Sequence, residues 1–301
     1  MDKEKIDILS EKIRLEIIAT QDGIQREESL LRLLEEAKRY EGTDQVVPFS
    51  EIVARVKAAG ETEKINTSWV ELDKILKGFR PKQNIIISAL PKSGKTSFMM
   101  DLTIKLEAYN PLWFAFEESV DELVSKYLER GQEPPHAFTP QTMVDNKMEW
   151  LESRIFESKA KWKTKVVIID QLDWIVPFEG ENHHLKIART MRDLKTLAKK
   201  LDVVIFTICH LSKTPSENQP SYNDLRGSSA IGGECDMAII LWRESKRENG
   251  QFVVTDNVNV SVQLNRTGKT GNVKMIYDNG QFIEKFWGDA EEQAKEEFKN
   301  F

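Results

Sequence analysis

Residues 84–97 read NIIISALPKSGKTS, and a helical pattern continues through Phe98-Met99-Met100-Asp101-Leu102. Three consecutive isoleucines make a β-branched run too short for a buried helix and suited to a strand covered on both faces. A turn containing Pro91 and Gly94 follows, and then the helix. Strand, turn and helix in this order are the setting in which Gly-Lys-Thr holds phosphate. Backbone N–H groups of the turn and of the helix N-terminus converge on the anion, and the helix dipole adds to the attraction. Ala89, Pro91, Lys92, Ser93, Gly94, Lys95, Thr96 and Ser97 are therefore the expected nucleotide cradle. Lys95 would reach the β- and γ-phosphates, and the Thr96 hydroxyl would ligate Mg2+.

Four more apolar runs follow: PLWFAF (111–116), KVVIIDQL (165–172), DVVIFTICHL (202–211) and DMAIILW (236–242). Helical stretches separate them, the clearest at 185–201, where Ile187, Met191, Leu194, Ala198 and Leu201 share a face. Buried strands alternating with helices predict an α/β domain with a mostly parallel sheet. After residue 245 the pattern turns to alternating strands around Asn249-Gly250 and Asn279-Gly280, so an antiparallel extension is expected.

A Mg2+ ion at Thr96 needs a carboxylate from a neighbouring strand, and Asp170 ends such a run. Asp173 reads as a capping or solvated acid. Attack by water on a phosphoryl group needs a residue to orient or deprotonate it. Glu117 and Glu118, at another strand end, are the candidates, although acids there could instead open the next helix.

The chain has 301 residues, 43 basic and 49 acidic, for a net charge of −6. That balance disfavours a protein that coats nucleic acid but permits a local basic channel. A hydrophobic fraction of 40% excludes a mainly disordered chain. No apolar run approaches the ~18 residues of a membrane span, and a start charged from Asp2 predicts no secretory signal. Cys209 and Cys235 lie in apolar stretches and read as reduced core thiols. His183 and His184 read as solvated residues before a helix.

Four regions are expected. Residues 1–44 form a short helical region with apolar spacing at Ile6, Leu9, Ile13 and Ile17, which needs another helix or subunit to cover it. Residues 45–65 form a linker whose helix, 48–60, would be capped by Ser50 and ended by Gly60. Residues 66–287 form the α/β domain, and 288–301 an acidic tail ending in Phe298 and Phe301.

From about residue 48 to 286 the ordered motifs resemble the RecA-like ATPase domain of the DnaB-type replicative helicases, including the phage primase–helicases. WVELDKILKGFRPKQNIIISALPKSGKTSF resembles the family's entry strand and phosphate loop, in which alanine often stands at the Ala89 position. LWFAFEES resembles the strand whose glutamate polarises the attacking water, which points to Glu117. VVIIDQLDWI resembles the second nucleotide motif. The strand ending at His210 resembles the one that carries the γ-phosphate sensor, with histidine as in the phage members and not the glutamine usual in DnaB. DLRGSSAIGGECDMAIILWR resembles the DNA-contacting loop and its following strand, which implies Arg226, Gly227 and Ser229 as DNA contacts. Lys213 is added on charge alone. NRTGKTG resembles the segment bearing an arginine finger for the neighbouring subunit's ATP, here Arg266, with Leu264 where bacterial members often carry lysine.

The resemblance implies a DNA-stimulated ATPase using ATP and Mg2+, assembled as a homo-hexamer and moving 5′→3′ on single-stranded DNA during replication. It also implies a cytoplasmic setting in a bacterium or a phage-infected cell. Polymerase, primase or loader contacts would run through the termini. No primase constellation is in the chain. A DNA-binding ATPase of recombination or repair, and an ATP-timed assembly switch, remain the alternatives.

Overall fold

Five parallel strands and three antiparallel ones form a single sheet in the computed structural model, in the order β2-β3-β4-β1-β5-β6-β7-β8. The structure describes residues 47–60, 63–91, 93–177, 183–211, 219–225, 228–248 and 251–285. The expected helices of 1–44, the tail 288–301 and the Asn249-Gly250 turn lie outside them. The chain divides into two compact units, Met1–Thr62 and Glu63–Phe301.

The first unit contributes helix α1 (Phe49–Ala59). Its N-cap is Pro48, not Ser50. Proline's fixed φ, here −68°, and its missing N–H suit a helix start, so the serine falls inside the first turn. Gly60 ends the helix as expected. Phe49, Val53 and Val56 are exposed.

In the second unit the expected strands appear as β1 (Asn84–Ala89), β2 (Leu112–Ala115), β3 (Val166–Asp170), β4 (Val204–His210) and β5 (Met237–Glu248). The antiparallel extension is β6 (Gln251–Asn265), β7 (Gly271–Asp278) and β8 (Gln281–Glu284). Continuous apolar runs are explained by coverage on both faces. Ile85, Ile87 and Ala89 point to one core with Phe98, Met99 and Leu102, while Ile86 points to the other with Met191 and Leu194. The first core is covered by α2 (Val70–Leu76), α3 (Lys95–Lys105) and α4 (Val120–Glu129). The second is covered by α5 (Met148–Trp162), α6 (Leu172–Ile175), α7 (His183–Leu201) and α8 (Ser228–Glu234). All five predicted α7 positions are buried, and Ile187 and Met191 sit in that core. His183 and His184 are the first residues of α7 and do not precede it; His184 is exposed. Cys209 and Cys235 are free and buried.

Two features close the sheet's edges. Beside β2, Trp113 N–H donates to Phe138 C=O at 2.8 Å and Phe138 N–H to Pro111 C=O at 2.7 Å. Beside β8, Phe282 N–H donates to Asp101 Oδ2 at 2.7 Å, and its carbonyl accepts from Trp69 Nε1 at 2.8 Å. Glu284 then caps α2, accepting from Leu72 N–H at 2.9 Å.

Candidate active site

The carboxyl ends of β1, β2, β3 and β4 lie on one side of the sheet, where an open α/β fold places its ligands. The phosphate loop leaves β1 at Ala89, which is buried. Ser93 N–H closes a turn on Leu90 C=O at 3.1 Å. Gly94 then caps α3 with φ +86°, a left-handed conformation that favours glycine. Lys95 and Thr96 open the helix. Lys92 is outside the described residues.

A cleft of about 440 Å³ is lined by Pro91, Gly94, Lys95, Thr96, Ser97, Glu117, His210, Arg243 and Tyr277. A larger hollow of about 890 Å³ beside Trp174 and Val176 is lined by none of these groups, so chemistry and not size selects the site. In the cleft the predicted loop meets the strand-end residues Glu117 and His210. Thr96 Oγ1 donates to Asp170 Oδ2 at 3.3 Å, which brings the two predicted metal ligands together. The peptide between Asp170 and Gln171 is cis.

Burial dominates the electrostatics. It lowers the Lys95 ammonium below its ordinary range, against the opposing charges of Glu117 and Asp170. It pushes the Asp170 carboxyl up to about 7, with Glu117 and then Glu118 adding repulsion and the Thr96 hydrogen bond and Lys95 opposing it. Asp170 Oδ1 is buried without a hydrogen-bond partner among the described residues. A carboxylate held ready for a cation has this signature, and a divalent ion beside Thr96 would satisfy it.

The two glutamates separate in role. Glu117 is exposed to the cleft, whereas Glu118 is paired with Lys126. Neither opens α4. Its cap is Ser119, in a reciprocal capping box with Glu122.

Arg266 lies elsewhere. It follows β6, with its N–H on Asp236 C=O at 2.9 Å and Nη2 on Gly233 C=O at 2.6 Å. Asn265 is in register with Met237, and Met237 with Ile85, so Arg266 stands at the amino ends of the parallel strands. The six residues of β1 separate it from the phosphate loop, about 20 Å at ~3.3 Å per residue. It does not reach the cleft of its own chain. Lys213, Arg226 and Gly227 lie outside the described residues. Ser229 falls in α8, and Leu211 bridges Leu225 at the two ends of the intervening segment.

Sequence reasoning did not find Arg243, Tyr277 or Arg130. Arg243 stands 4.9 Å over the Tyr277 ring and donates from Nε to Thr255 C=O at 3.1 Å and from Nη2 to Asp256 Oδ1 at 3.2 Å. A cation on an aromatic face at the cleft wall offers a flat surface to a planar ring. A charge directly after the run DMAIILW was the signal for Arg243, as it was for Asp170. Tyr277 reaches the cleft wall, and Arg130 the Ser97 hydroxyl beside it, only through the tertiary fold.

The comparisons with known proteins bear on the same region. The replicative DNA helicase DnaB of Geobacillus stearothermophilus is 24% identical over 324 residues, covering 91% of this chain and 71% of that protein. That of Leifsonia xyli subsp. xyli is 26% identical over 267 residues, covering 77% of this chain and 58% of its own length. The chain thus spans little more than half of several such relatives. Among solved structures, one of an isolated ATPase domain matches with TM-score 0.69 at 19% identity, covering 80% of this chain and 100% of that one. A DnaB-like replicative helicase, solved with attention to its interactions with primase, matches with TM-score 0.66 at 18% identity, over 93% of this chain and 76% of that one. These two likenesses carry the fold. The model of the DnaB-like helicase C terminal domain matches residues 64–133 and 137–286, and the chain belongs to that family.

Proposed function

We propose that this chain is an ATP-driven DNA helicase motor that moves 5′→3′ on single-stranded DNA as a homo-hexameric ring. One observation carries the reading. Lys95, Thr96, Glu117 and His210 share a cleft, while Arg266 stands at the far end of the parallel strands, out of reach of that cleft, as a finger for another copy's cleft would.

The chemistry follows from the groups present. The loop N–H groups and Lys95 bind the β- and γ-phosphates of ATP. Glu117 accepts the proton of the attacking water and aligns it with the γ-phosphorus. Arg266 of a neighbouring copy compensates charge on the transferring phosphoryl, a contribution of about 10³–10⁵ in turnover for such fingers. Thr96 and Asp170 would hold Mg2+, which when bound neutralises phosphate charge and fixes the phosphate geometry. His210, beside the γ-phosphate end of the loop, senses its loss. Leu211, the next residue, passes that change to the segment carrying Lys213, Arg226, Gly227 and Ser229, which holds DNA phosphates without reading sequence.

Among the described residues no helix is long and apolar enough to cross a membrane. We place the protein in the cytoplasm of a bacterium or a phage-infected cell. We assign the DNA motor to 66–287, a docking linker to 45–65, and contacts with a primase, loader or polymerase to the flanking 1–44 and 288–301. A labelled forked duplex tests the motor. ATP must drive strand displacement, and Lys95→Ala must abolish it. Hydrolysis indifferent to DNA, with no displacement, would replace the motor by an ATP-timed assembly switch.

A further inference from the structure

We propose that Arg130, outside the cleft, is a positioning residue for the nucleotide, fixing the Ser97 hydroxyl as a donor into the cleft and holding the Tyr277 ring at its wall. The inference rests on the reading that the cleft takes ATP.

Arg130 closes α4, and its Nη2 donates to Ser97 Oγ at 2.9 Å. The Tyr277 hydroxyl donates to the same oxygen at 3.2 Å. A serine hydroxyl has two lone pairs and one proton. With both lone pairs taken by Arg130 and Tyr277, the proton is left for an acceptor elsewhere, and Ser97 lines the cleft in the first turn of α3. The acceptor that suits this position is a phosphate oxygen or sugar hydroxyl of the bound nucleotide. The same oxygen anchors Tyr277, whose ring carries Arg243, so a single hydroxyl joins the phosphate helix to the aromatic wall.

Arg130 is absent from the cleft lining, so it acts through Ser97. Its placement is costly. Nη1 is buried with no hydrogen-bond partner among the described residues, a penalty that an apolar side chain of similar length would avoid. The surrounding fold nevertheless makes room for it. Gly280 has φ +85°, and a Cβ there would fall 2.3 Å from Arg130 Cδ and 2.6 Å from Nε. The β7–β8 turn therefore closes directly over the arginine stem. The Arg130 charge also offsets that of the buried Asp101 carboxylate, and its Nη2 contact gives the same guanidinium a second use at Ser97.

The test is a double-mutant cycle on the full chain, reading the Mg-ATP dissociation constant by titration calorimetry. Arg130→Met and Ser97→Ala are each expected to weaken ATP about tenfold, ~1.4 kcal/mol. Because Arg130 works through Ser97, the double variant should also be weakened about tenfold and not a hundredfold. A purely structural arginine would give multiplying effects, which would overturn the proposal, as would an Arg130→Met protein binding ATP within twofold of the parent. If Arg130→Met shows no cooperative thermal transition, Arg130→Lys, which keeps stem and charge but loses the planar fork, takes its place with the same expectations. A parent protein that fails to bind ATP at all would instead overturn the nucleotide reading, before any variant is made.

Discussion

Ala89 and His210 are register partners on adjacent parallel strands, so the residue that launches the phosphate loop stands beside the last residue of β4. His210 is followed at once by Leu211, which bridges Leu225; Lys213 lies between the two, and Arg226, Gly227 and Ser229 follow Leu225. On the proposed sensing role of His210, a change at the γ-phosphate has a one-residue path to Leu211. His210→Ala should weaken ATP by no more than about tenfold, the range of one hydrogen bond, and should abolish stimulation of hydrolysis by single-stranded DNA. Steady-state hydrolysis with and without DNA, at low and high salt, measures this; stimulation that persists in the variant removes the sensor role.

Glu117 and Glu118 should separate sharply. Glu117→Gln is expected to lower kcat by about 10²–10⁴, the range for a general base, while ATP still binds. Glu118→Gln loses the ion pair with Lys126, which lies away from the cleft lining, and should turn over ATP nearly as the parent does. Single-turnover hydrolysis of both variants decides the assignment, and equal losses would count against it.

The raised Asp170 carboxyl gives a pH signature with a definite sign. In the ligand-free fold it is protonated below about 7, whereas an unfolded aspartate ionises near its ordinary value. The group therefore supports folding most at acid pH and loses that contribution as pH rises through about 7. If Asp170 holds the metal as proposed, binding of Mg-ATP should release about one proton at pH 6 and almost none at pH 8. Calorimetry in two buffers of different ionisation enthalpy reads the proton directly. Asp170→Asn should remove the release, and should raise the melting temperature of the ligand-free protein at pH 8.

Arg266 and Lys95 lie at opposite ends of the parallel strands, so Arg266→Ala and Lys95→Ala, each expected to be inactive alone, should carry complementary defects. Mixed in equal amounts, they should recover part of the parental ATPase through clefts that combine an intact loop with a neighbour's intact arginine. No recovery at any mixing ratio would rule out a shared site.

The sheet and half of the cleft could be read from residue order because both depend on local rules. A β-branched run covered on two faces, a Gly-Lys-Thr at a strand-to-helix turn, and acids at strand ends all announce themselves within ten residues. Asn279-Gly280 marked its hairpin for the same reason: φ values of +46° and +85° suit that dipeptide. Ser50 misled because a serine before an apolar stretch is a good cap, but Pro48 was a better start two residues earlier. The acids at 117 and 118, candidates for activating water, could also have opened the next helix by their position; the capping box of Ser119 and Glu122 takes that part instead. Arg130, Tyr277 and Ser97 converge from the end of one helix, a strand and the start of another helix, far apart in the chain, and no local pattern encodes that meeting.

The closed edges of the sheet constrain how copies of this chain can come together. An open sheet ordinarily offers its last strand as a template on which another chain can lay a strand of its own, the first step toward runaway association. Here Phe282 has committed its outward N–H and carbonyl to Asp101 and Trp69, and β2 is shielded by the Phe138 segment. Growth by strand addition is hindered at both ends among the described residues, which gives side-chain surfaces the larger part in self-recognition. Such contacts can be made and released with each nucleotide, as continuous backbone pairing could not, and a closed assembly of fixed number can form without competing with an endless one.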